Sequence, residues 1–254
     1  MKIKAIAINT FREAIRDRVL YLLFFFTVVA LLFSRLLAML TVGDRVKIIK
    51  DVGLASISLF GMLMAILIGT GLVYKEIDKK TVFTLISKPI HRWQFLLGKF
   101  FGLVLTLFIM TVLMSLIFIV VVFLHTSKIE GRLLLAVLFI FIELILITAV
   151  AILFSCFSTP ILSSLFSVSF YLIGHFSWGL ETLLLKTKPG PTKVLLQGIY
   201  ALLPDLENFN FKTEAVYGLA VQPRFYFYSA LYGIVYTVFI LALAVLIFKK
   251  RDFV

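Results

Sequence analysis

Apolar residues in this chain do not alternate, nor do they keep to one helical stripe; they run in long blocks separated by short polar breaks. A helix rises about 1.5 Å per residue, so about 20 apolar residues cross a hydrocarbon core of about 30 Å. Six segments meet that length: Val19–Thr41, Val52–Tyr74, Gly98–Leu124, Leu133–Phe157, Ile161–Leu180 and Phe227–Phe248. The fourth and fifth are parted by Ser158-Thr159-Pro160. Proline there breaks the helix, because it lacks an amide hydrogen and clashes with the preceding turn. The pattern predicts an all-α integral membrane protein with six transmembrane helices, residues 1–254 forming a single transmembrane domain.

Three regions depart from this pattern. Over residues 1–18, Ile3, Ala7, Ile8, Phe11, Ala14 and Ile15 share one side at helical spacing, opposite Lys2, Asn9, Arg12, Glu13 and Arg16. That predicts an amphipathic helix at the membrane interface. Glu13 and Asp17 in the polar stretch, the long apolar run after it and the lack of a small-residue cleavage site argue against a cleaved signal peptide. Residues 75–97 form a charged island, Lys75-Glu76-Ile77-Asp78-Lys79-Lys80-Thr81, continuing through Ser87-Lys88-Pro89 to His91-Arg92. Residues 181–226 form the longest extramembrane stretch. Its apolar pieces, Lys193–Leu203 and Ala215–Val221, are too short to span and predict short interfacial or re-entrant helices.

Composition strengthens the membrane reading: 62% of residues are hydrophobic, 15% are charged and 27 are Phe. A net charge of +12 in a soluble chain would suggest nucleic acid, but here the basic residues flank the apolar runs, which excludes that partner and sets orientation. The N-terminal segment, the island and the C-terminal Lys249-Lys250-Arg251 carry the excess. The opposite short loops offer Arg45, Lys47, Lys50, Lys128 and Arg132. Both termini and the island are therefore expected in the cytoplasm, with 181–226 outside. The single cysteine, Cys156, permits no intramolecular disulfide.

Catalytic signatures are absent. Gly98-Lys99-Phe100 lacks the upstream glycine and following hydroxyl of a phosphate-binding loop, and His91, His125 and His175 lack metal-ligand spacing. No nucleophile elbow or paired-cysteine motif occurs, and Asp205 and Glu207 flank Leu206 as expected of solvated turn residues. The chain is expected to bind no cofactor or metal and to be no enzyme. Two ionisable residues interrupt the spans. Glu143, near the middle of the fourth, belongs either to a buried pair or to a translocation path. Arg35, nearer the outer end of the first, either snorkels or pairs with Glu143, since rises along two neighbouring helices would leave them within reach. His175 reads as an interfacial or helix-packing polar residue.

Glu76, Thr81, Leu85, Pro89 and Arg92, followed by Gly98-Lys99 at the third span, resemble the second–third loop of ABC-2-type ABC transporter permeases. The likeness is closer to the nitrous-oxide-reductase-maturation type than to polysaccharide exporters, and covers nearly the whole chain. It implies a transmembrane subunit of an exporter in a bacterial or archaeal cytoplasmic membrane, which dimerises and docks ABC ATPase subunits that bind ATP and Mg. The island would then hold a coupling helix, and Val82, Leu85 and Ile86 do recur there at helical spacing. A gradient-driven transporter or channel using Glu143, and a non-transporting membrane maturation subunit, are the alternatives.

Overall fold

The computed structural model describes residues 2–40, 43–78, 91–128, 130–177 and 204–250, with isolated positions between 178 and 203. The described residues form α1 (Lys2–Ile15), α2 (Arg18–Leu40), α3 (Arg45–Asp78), α4 (Arg92–Thr126), α5 (Gly131–Ser155) and α6 (Pro160–His175). A 3-10 turn (Leu206–Phe209), α7 (Lys212–Tyr217) and α8 (Pro223–Lys250) complete them. Helices dominate because backbone groups in hydrocarbon must be satisfied within the segment itself. The long helices alternate in direction. One end of the bundle therefore gathers α1, the start of α4 and the finish of α3 and α8, next to the island. The other gathers the 3-10 turn and α7.

α3 and α5 form the centre. α5 packs on α3, α4, α6 and α8, and its face from Leu144 to Ile152 is almost wholly buried. Glycines set the closest approaches: a Cβ at Gly61 would lie 2.7 Å from Leu144, and one at Gly53 would collide with the Phe118 ring. α2, packed on α3 and α4, leaves Leu22, Phe25, Phe26, Val29, Leu32 and Phe33 exposed along one face. Such a face would aggregate in water and calls for an apolar surrounding.

Among the described residues, five helices are long and apolar enough to cross a membrane: α2, α3, α4, α5 and α8. The sixth expected span, Ile161–Leu180, is shorter: α6 has 16 residues, or about 24 Å, against about 30 Å of hydrocarbon. Pro160 does open it as expected, while residues 178–180 lie outside the described residues. Its last turn is met by the segment that follows. A Cβ at Gly174 would lie 2.6 Å from Leu206, and Leu206 and Phe209 are fully buried. The 3-10 turn thus packs against the last turn of α6. Most of the Lys193–Leu203 piece lies outside the described residues, and α7 stops at Gly218, whose φ of 71° ends the helix.

α3 and α4 begin earlier or end later than the apolar runs suggested. With 34 and 35 residues they are each about 50 Å long, so both project beyond the hydrocarbon.

Candidate functional site

At the island end, the first three turns of α4 are fastened to two other helices. The last carbonyls of a helix lack partners in the next turn and attract cations. Arg92 meets that need for α8: its Nη1 donates to the Phe248 carbonyl at 3.2 Å and the Lys249 carbonyl at 2.8 Å. One turn on, the Phe95 ring stacks on Phe248 with centroids 6.0 Å apart. Gly98 and Gly102 then open a notch that α1 enters. A Cβ at Gly98 would lie 2.6 Å from Ile6, and one at Gly102 would lie 2.6 Å from both the Ala7 carbonyl and Thr10 Cβ. Lys99 is 1% exposed, and its Nζ donates to Glu13 Oε2 at 3.3 Å. A cation so buried requires a partner, and the partner comes from α1.

A second polar cluster joins the bundle interior to the opposite end. Glu143 on α5 is 1% exposed and lies 2.7 Å from His175 Nε2, at the end of α6. The other ring nitrogen, Nδ1, lies 3.4 Å from Glu207 Oε2 in the 3-10 turn. Both imidazole nitrogens therefore lie within hydrogen-bonding distance of a carboxylate oxygen. Glu207 also accepts from Asn210 Nδ2 at 2.7 Å. The His175 hydrogen bond holds its carboxyl below the usual glutamate range, outweighing partial burial. Alongside, Lys212 Nζ donates to Ser58 Oγ at 2.9 Å, and the Tyr171 ring packs edge-on against His175 at 4.5 Å. Asp205 fixes the turn: its Oδ1 accepts from Ser177 Oγ at 2.6 Å and from the Glu207 amide at 3.2 Å. Side chains from α3, α5, α6, the 3-10 turn and α7 thus meet at one place.

A family model described as ABC-2 family transporter protein matches residues 4–253. The chain belongs to the ABC-2 transporter family. No individual curated protein matches it. Membership makes this multi-pass chain the permease subunit of an ABC transporter, a class that works with an ABC ATPase.

In this ABC-2 permease the expected docking residues fall into two groups. Glu76 lies in the last turn of α3, while Thr81, Leu85 and Pro89 lie outside the described residues. Arg92, expected at the rim of a docking surface, donates from its Nη1 to the end of α8. The expected Glu143–Arg35 pair is replaced by Glu143–His175: α2, which carries Arg35, packs on α3 and α4, whereas α6 brings His175 to Glu143. Asp205 and Glu207 are hydrogen-bonded elements of the cluster, not merely solvated turn residues. The sequence reading missed Lys99–Glu13 and the linking role of His175. A lysine within an apolar helix, facing an amphipathic helix that carries a carboxylate, was the available signal for the first. For the second there was none, since the partners lie 32 residues apart on separate helices.

Proposed function

We propose that this permease subunit is the membrane half of an exporter, that a separate ATPase docks on the island between α3 and α4, and that the docked movement enters the bundle through the start of α4. The observation that carries the reading is the fastening of α4 to α8 by Arg92 and Phe95, and to α1 by the glycine notch and Lys99. A helix projecting from the membrane beside the island cannot shift without displacing both neighbours, because packed interfaces move as units. Val82, Leu85 and Ile86 supply the apolar anchors for a partner's cleft, with the island's charges at its rim. The chain itself carries no nucleotide-binding motif, so ATP and Mg belong to the partner. Two copies of the permease, both termini in the cytoplasm, complete the unit.

Glu143 serves in this reading as a latch: it holds α6 against α5 and, through His175, anchors the cap formed by residues 204–217. The test is co-purification with the ATPase. Leu85→Asp should abolish ATPase binding and permease-stimulated hydrolysis while the chain still inserts in the membrane. Lys99→Met should spare binding but reduce stimulation, since it removes the charged link between α4 and α1 and leaves the island intact. ATP-dependent accumulation in inside-out vesicles fixes the direction.

A further inference from the structure

Between α4, α5 and α8 lies an open groove of about 910 Å³ whose lining is almost entirely apolar. α5 forms the floor with Leu138 and Ile145, and α4 and α8 form the walls, among them Leu97 and Val238. Along α8 it runs from Gly233 to Leu246, about 20 Å by helical rise. Half the hydrocarbon thickness is about 15 Å, so the groove reaches from one headgroup layer to beyond the midplane. Its volume falls within the range of about 300–1,000 Å³ typical of small-molecule sites.

The two ends of the groove differ. Deep in the membrane it closes at Gly233, where a Cβ would lie 2.8 Å from Ile142 and 2.9 Å from Phe209. At the island end it opens beside Trp93, which is 44% exposed. One turn beyond Leu246 come the exposed Lys249 and Lys250, the basic last turn of α8. Arg92 binds the Phe248 and Lys249 carbonyls and so fixes that turn beneath the mouth. The first turn of α4 carries no acidic residue to offset these charges. An indole and two ammonium groups at headgroup depth, over an apolar channel about one leaflet deep, are complementary to an anionic amphiphile.

We propose that this groove seats an acyl chain of an anionic phospholipid from the island-side leaflet, with the headgroup held by Lys249 and Lys250. The seat stands between α4 and α8, the pair joined by Arg92, so an occupied groove props the two helices at a set separation. The proposal does not depend on which ATPase drives the permease.

The test uses the full chain in nanodiscs. The protein has 2 Trp, so Trp178→Phe leaves Trp93 as sole reporter. Phosphatidylglycerol with brominated chains, present as a minor component in phosphatidylcholine, should quench Trp93 more strongly than the same fraction of brominated phosphatidylcholine. Replacing Lys249 or Lys250 by Gln should lower that preference about fivefold each. Ala242→Phe fills the groove and should bring both lipids to equal quenching; Ala242 is exposed, so the larger ring meets no packed core. Val238→Phe, on the same exposed wall, is the second filling variant. Three results would overturn the proposal. One is equal quenching by the two lipids in the unfilled protein. Another is a preference that survives both filling variants, which would leave only diffuse attraction to the surface. The last is disulfide cross-linking of two Ala242→Cys copies with Cys156 replaced, which would assign the groove to a second copy of the chain.

Discussion

At the scale of the residue, the buried carboxylate decides most. Removing one member of a buried charged pair strands the other, at a cost of about 3 kcal/mol or more. His175→Phe should therefore destabilise the detergent-solubilised protein by about that amount, because it leaves Glu143 in an apolar interior without its partner. The double variant with Glu143→Leu should recover part of the loss. Arg35→Met, at a half-buried position on α2 that is not the partner of Glu143, should cost clearly less than His175→Phe. Unfolding followed by thermal or denaturant titration distinguishes these, and equal losses for Arg35→Met and His175→Phe would restore the first pairing. Glu207 gives a pH dependence with a definite sign. Its folded carboxyl titrates below the unfolded value of 4.5. The stabilisation is complete above about pH 4.5 and fades as pH falls through the folded value. Glu207→Gln should flatten that acid limb of the stability curve and leave neutral pH behaviour nearly unchanged in slope.

At the scale of the element, two glycines make opposite predictions. Gly102→Val would drive a side chain into the Ala7 carbonyl and Thr10, and should cost about 1–3 kcal/mol while loosening α1 from α4. Gly71, inside α3, has nothing among the described residues within 4 Å of its missing Cβ, so Gly71→Ala should raise stability by about 1 kcal/mol through helix propensity. Proteolytic release of α1 and the melting temperature check the pair. These contacts mark where the sequence was informative and where it was not. α2, α4, α5 and α8 were legible because a run of about 20 apolar residues has few other stable destinations. The early start of α4 was not, because Arg92 and Trp93 read as loop until the carbonyls of α8 supplied Arg92 with a structural partner. The apolar face of α1 was legible, but not its destination: Gly98 and Gly102 identify it only once α1 is placed against them. The packing of the 3-10 turn on the last turn of α6 was not legible either, being a tertiary contact that no local pattern records.

At the scale of the whole molecule, the bundle is gripped at both ends. Lys50 to Glu130 at 2.6 Å joins α3 to the start of α5 at the far end, and Arg92 and Lys99 gather α1, α4 and α8 at the island end. Orientation is checked by cysteines at Lys79, Lys193 and Lys250 in a chain lacking Cys156. Impermeant thiol reagents should reach the first and third from the cytoplasmic side and the second from outside. In the proposed function, force from a separate ATPase enters through the island and the start of α4. The most direct measurement is ATPase co-purification and stimulated hydrolysis for Leu85→Asp beside Lys99→Met, both in permease that inserts normally. The account predicts loss of binding for the first, and retained binding with reduced stimulation for the second. Unchanged ATPase binding by Leu85→Asp would contradict it and move the docking surface off the island.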